Sequence, residues 1–143
     1  MRYKLIALAL VVVPMLCAKP IELVLLNDVT KVAISRIPYS ISFPVSISAE
    51  AFDGIAMYKL LCERPDSLAV AIEIVNAYNA MAWTPTHSTA LDVRWSVTIT
   101  LNTQQSICLY LGERSDVYLC NGRWYTGGTM LLHVLRKYML MLK

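Results

Sequence analysis

His87, Ser88 and Asp92 stand close together in the chain and are the residue types of a hydrolytic triad: a base, a hydroxyl nucleophile and an acid to orient the base. That chemistry needs a sharp turn presenting the nucleophile, and no Gly-x-Ser-x-Gly element surrounds Ser88. Nearness in sequence is not the geometry a triad requires. The expectation for His87 is therefore a solvated loop histidine followed by capping hydroxyls, with a small extracytoplasmic hydrolase using His87 as the alternative. His133, the other of the two histidines, falls beside Arg136 and Lys137. Two histidines without an acidic cluster make no metal site, and no cofactor-binding motif is present. Glu50 and Asp53 share one short turn, where acids cap a helix more often than they move protons.

Cysteine is the next reactive type, at positions 17, 62, 108 and 120. A turn made of Glu113, Arg114 and Ser115 sets Gly112 against Asp116, Tyr110 against Tyr118 and Cys108 against Cys120. Directly opposed cysteines on antiparallel strands lie within disulfide range, so a Cys108 to Cys120 bond is expected. A one-residue shift of the turn gives two free thiols instead. Cys62 reads as a small buried hydrophobe. On the same face as the expected disulfide, Tyr110, Tyr118, Trp124 and Tyr125 gather with Arg123, and with Arg94 and Arg114 nearby. Those are the residue types that anchor protein interfaces, and this group is the candidate binding site. The competing reading covers them with the last helix as second-layer core.

These side chains need a frame. Val93, Trp95, Val97, Ile99 and Leu101 alternate with Arg94, Ser96, Thr98 and Thr100, which predicts a half-buried strand. After a turn at Asn102 to Gln105, Ile107, Leu109 and Leu111 continue that apolar face, followed by Val117 and Leu119. Asn121-Gly122 is the favoured pair for a two-residue hairpin, returning the chain over Arg123 to Thr126. Earlier strands are expected at Val29 to Ile37 and Met57 to Glu63, the latter with Tyr58, Leu60 and Cys62 on one face. A helical turn is expected at Ala49 to Asp53. Pro65-Asp66-Ser67 starts a helix reaching Met81, with Leu68, Ile72, Val75 and Tyr78 as its buried stripe. Trp83 to Thr89 reads as a surface loop. Gly127-Gly128 ends the sheet, and Thr129 caps a final helix to Leu142 that buries Leu131, Leu135, Tyr138 and Leu142.

The amino terminus supplies an address. Met1 to Lys4 is short and basic, Leu5 to Leu16 is nearly unbroken hydrocarbon, and Cys17-Ala18 precedes Lys19-Pro20. This is the pattern of an export signal over 1–18, too short to span a bilayer, followed by one domain over 19–143. A lipid anchor on Cys17 and an uncleaved anchor are the other readings. Without Arg2 and Lys4 the remaining chain has 11 basic and 10 acidic residues. That balance gives no electrostatic case for nucleic acid or an anionic membrane surface.

The stretch from Asp28 to Leu135 resembles small exported bacterial domains of unknown function. The resemblance is carried by a strand ending in Ile37-Pro38-Tyr39, a helix after Pro65-Asp66 and a strand opening Leu91-Asp92-Val93-Arg94. The closing Tyr118-Leu119-Cys120-Asn121-Gly122-Arg123-Trp124-Tyr125 before a helix completes it. It implies an α+β fold, a twisted antiparallel sheet with two main helices packed on one face, and no activity. The expectation is a secreted or periplasmic, non-catalytic binding domain of the inhibitor, immunity or envelope-accessory kind. Its partner would be a protein of the envelope or extracellular space, not nucleic acid, with membrane contact only through the signal or a lipid on Cys17.

Overall fold

The computed structural model describes residues 20–142 except 44, 64–68, 88, 89 and 115. The leader, Cys17, the Pro65-Asp66-Ser67 helix start, Leu68 and Ser88 thus lie outside the described residues. Among those described, the chain is mixed α+β, with three helices and one seven-stranded antiparallel sheet. In chain order these are β1 (Val29–Arg36), α1 (Ala49–Ile55), β2 (Tyr58–Cys62), α2 (Ala69–Ala80), β3 (Thr84–Pro85), β4 (Val93–Leu101), β5 (Ser106–Gly112), β6 (Val117–Cys120), β7 (Arg123–Thr126) and α3 (Thr129–Lys137). The strand order is β2-β1-β4-β5-β6-β7-β3, so β2 and β3 are the edges.

α2 and α3 share one face of the sheet, over a continuous core that includes Val32, Ile34, Val97, Ile99, Leu109 and Leu111. Ile74, Val75 and Tyr78 turn inward from α2, while Ile72 is only half-buried, so the buried stripe is rotated from the expected one. From α3, Leu131, Leu132 and Leu135 are buried, and the helix stops at Lys137 before a short 3-10 turn. Thr129 does not cap it. Asp116 does, its Oδ1 accepting from the Thr129 amide (3.3 Å) and hydroxyl (2.7 Å). The segment before β1 is held against α2 by Asn79, whose side chain exchanges two hydrogen bonds with the backbone of Val24 (2.9 and 2.8 Å).

α1 lies on the opposite face, capped by Ser48, over a smaller core of Ile37, Ile47, Phe52, Leu91 and Val93. Val93 belongs to this core because a bulge between Val93 and Trp95 breaks the alternation that puts Trp95, Val97 and Ile99 on the other side. β4 is also not half-buried: Ser96 is covered as well, and so is Arg94, which bonds to the carbonyls of Pro38 and Ile41.

Three sequence expectations fail here for physical reasons. Trp83 to Thr89 is not simply a surface loop. Trp83 is buried, and Thr84 and Pro85 pair with Thr126 and Tyr125. The register of β5 on β6 is one residue from the expected one, with Leu109 opposite Cys120 and Leu111 opposite Tyr118. A one-residue slip moves every side chain to the other face. Tyr118 and Cys120 therefore enter the core while Val117 and Leu119, both half-buried, turn to the other face. The Cys108 to Cys120 disulfide is accordingly not formed, and Cys62, Cys108 and Cys120 are free thiols. Asn121 locks this register. Its amide donates to Cys108 O (3.1 Å) and its Oδ1 accepts from Cys108 N (2.8 Å), extending the ladder beyond β6. The hairpin at Asn121-Gly122 is as expected, with φ of 46° and 80° at the two turn residues.

Candidate functional site

The expected binding group is divided between the two faces of the sheet. Tyr118 and Tyr125 are buried, stacked on each other at 5.6 Å, and both meet the Trp83 ring edge-on at 5.3 and 5.0 Å. Tyr78 closes this cluster against Trp83 at 5.2 Å. The Tyr118 hydroxyl donates to Ala82 O (2.9 Å), and burial drives its pKa far above the ordinary value. These rings are core. Tyr110 and Trp124 lie on the α1 face. Tyr110 packs edge-on against Phe52 and donates to Asp53 Oδ2 (3.0 Å), so it fastens α1 to the sheet. Burial and that acceptor push its pKa up to about 12. Trp124 is half-buried beside Leu119, and Arg123 is exposed at the hairpin end.

The α1 face carries a different constellation. Arg94 projects from the bulge of β4 and is only 5% exposed. Its Nε donates to Asp92 Oδ2 (2.9 Å), and its Nη1 donates to the carbonyls of Pro38 (2.9 Å) and Ile41 (2.7 Å). Asp92 uses its other oxygen to accept from Ile47 N (2.9 Å). The ion pair between buried Arg94 and partly exposed Asp92 thereby fastens both ends of the 38–47 loop to the sheet, and every bond is charge-assisted. Asp92 is committed to this clamp. It is not positioned as an orienter for His87, which is exposed in its loop.

Pro38 turns the chain out of β1 and sets Tyr39 over the Arg94 guanidinium, 5.4 Å from it to the ring centroid. The Arg114 guanidinium lies 4.5 Å from the same centroid. Arg114 is held in place through its neighbour. Glu113 accepts from Trp95 Nε1 (2.9 Å) and pairs with Arg136 of α3 (3.5 Å), which pins the end of β5. Tyr39 remains 46% exposed between the two arginines, a rigid aromatic in a cationic frame. Arg114 is exposed, and no hydrogen bond among the described residues occupies its guanidinium.

Two clefts adjoin this shelf and a third lies beyond it, all with residues of the 90–94 segment in their walls. One of about 370 Å³ lies between Tyr39, Phe43, Ser46 and Arg94. A second of about 270 Å³ runs from Tyr39 to Glu113 and Arg114. The third, about 260 Å³, lies between the start of α1, Leu91 and Trp124. Trp124 is thus the member of the expected group that borders the site, together with Arg94 and Arg114 from its surroundings. Tyr39 was missed as a site residue. Its signal was an aromatic directly after the proline that ends the strand, hidden in a loop whose Ile41, Phe43 and Ile47 are as apolar as core residues. Among the described residues no group of three His, Cys, Asp or Glu is placed to hold a metal ion.

No protein-family model, curated protein or solved structure matches the chain. The site must be read from its geometry.

Proposed function

We propose that the protein is an exported, non-catalytic domain that binds a protein partner on the α1 face, through the shelf formed by Tyr39, Arg94 and Arg114. The leader at residues 1–18 supports the extracytoplasmic setting. The observation that carries the binding reading is the half-exposed Tyr39 ring fixed between two guanidinium groups where two clefts meet. Exposed tyrosine and arginine held in one orientation lose little entropy on docking, which is how a few such residues dominate interface energies. Arg114 presents a planar fork of donors beside an aromatic face. That chemistry fits a carboxylate on the partner, with an apolar side chain entering the cleft lined by Leu91 and Trp124.

A photoreactive amino acid at position 39 or 114, in protein exported by its host, tests this reading. One partner is expected to cross-link from both positions and not from Thr103 in the turn between β4 and β5. The same set of products from all three positions, or none from 39 and 114, would overturn it. The hydrolase alternative has its own test, since His87→Ala would abolish a hydrolytic phenotype and leave cross-linking at position 39 intact.

A further inference from the structure

The two edges of the sheet are finished differently. β3 is two residues long and contains Pro85, which offers no amide to a further strand. β2 has five residues and no described strand on its outer side. Exposed apolar side chains lie along it and just before it: Met57 is 49% exposed, Tyr58 43% and Leu61 53%. Open edges of this kind are templates for pairing unless charge blocks them. Lys59 is such a block in most registers, and the sequence around it removes the block in one.

We infer that two copies of this chain pair β2 against β2, antiparallel, with Leu61 on the two-fold axis. In that register Lys59 of each copy falls opposite Glu63 of the other, and Leu60 falls opposite Cys62. Lys59 and Leu61 share one face of β2, and Glu63, the first residue after the strand, follows Leu61 at the same two-residue spacing, so that two ion pairs would flank a central contact between exposed leucines. Neither Lys59 nor Glu63 has an ion-pair partner among the described residues of its own chain, and both are exposed. Leu61 opposes Ala33 and Lys59 opposes Ser35 on β1, small neighbours that leave this face open for a facing strand. Both alternations of antiparallel hydrogen bonding accommodate a residue paired with its own copy, as a bonded or a non-bonded pair. An edge ladder buries less than the roughly 1,200 Å² of a standard interface, so association on the order of 10 µM is expected. This surface is separate from the Tyr39 shelf.

Sedimentation of protein expressed from the full chain, from about 1 to 500 µM, should show a reversible monomer–dimer equilibrium. Lys59→Glu alone and Glu63→Lys alone each replace two attractions with two repulsions and should weaken the dimer about tenfold or more. The double variant Lys59→Glu/Glu63→Lys should restore it, and Leu61→Lys should abolish it. Thermal unfolding of each variant at dilute, monomeric concentration should match the parent, since the three side chains are exposed. A chain that stays monomeric throughout overturns the inference, as does a dimer indifferent to the single swaps or not rescued by the double. Monomers that lose a separate envelope protein on Leu61→Lys would assign the edge to a foreign strand and overturn self-pairing. Cross-linking at position 39 reads the other surface, so the two proposals fail independently.

Discussion

The sheet shows its helices two faces that share an aromatic-rich composition and differ in how they are closed. Under α2 and α3, the buried rings of Trp83, Tyr78, Tyr118 and Tyr125 interlock, and the Tyr78 and Tyr118 hydroxyls donate to the carbonyls of Ile21 and Ala82. Under α1, a five-residue apolar core is bordered by an ion pair between buried Arg94 and partly exposed Asp92, a half-exposed tyrosine and three clefts. The first face stabilises the fold by area removed from water. The second fastens its loop with directional, charge-assisted bonds, which leave space beside them that close packing would fill. The difference teaches where to look for recognition: on the side where order comes from hydrogen bonds to a loop.

Truncation should separate the faces most sharply. Tyr118→Ala removes a fully buried ring from the aromatic cluster and is expected to cost about 3–5 kcal/mol in urea unfolding. Tyr118→Phe, which loses only the bond to Ala82 O, should cost about 1 kcal/mol. Comparable losses from the two variants would mean that the ring is not core.

Asp92→Ala leaves the Arg94 charge covered and the Ile47 amide without its acceptor. A loss of about 2–3 kcal/mol is expected, tempered by the carbonyls of Pro38 and Ile41 that remain on Arg94. Because the clamp also supports Tyr39, partner cross-linking from position 114 should fall with it. A neutral outcome in both readouts would erase the distinction drawn for the α1 face.

Tyr39→Ala reverses the pattern. Stability should stay within about 0.5 kcal/mol of the parent, while partner affinity drops by about 2 kcal/mol, or roughly thirtyfold.

The thiols and pH sharpen the register. Cys108 should react with an exposed-thiol reagent in the native protein, and Cys62 and Cys120 only on unfolding. Burial pushes the Cys120 thiol up to about 12 from its usual 9 and the Tyr110 hydroxyl up to about 12 from its usual 10. The native state then holds protons that the unfolded chain releases. Stability from these groups is complete below pH 9 and declines as pH rises from about 9 toward 12. Cys120→Ala should flatten the first part of that decline.

Much of the frame was legible in the chain. β4 and β5 announce themselves by strict alternation, the Asn121-Gly122 turn by its two positive-φ residues, and α3 by its spacing of leucines. The register of β6 was not, because Val117, Tyr118, Leu119 and Cys120 are apolar on both faces and satisfy either alternative. Nor was the burial of Trp83, since a short segment with Pro85 reads as loop until β7 supplies an edge to pair with. The bulge at Val93 and Arg94 likewise leaves the hydrophobic pattern unbroken while sending Val93 to the other core.

Periodicity and turn chemistry are local, and so the sequence by itself determined the α+β class, the antiparallel meander and the apolar face of β4 and β5. Which face each β6 side chain enters, which cysteines stay apart and where Tyr39 meets Arg94 and Arg114 depend on contacts between distant segments. Those were decided by the tertiary structure, because a shift of one residue in a ladder costs little in local propensity and exchanges everything that the sheet presents to its two sides.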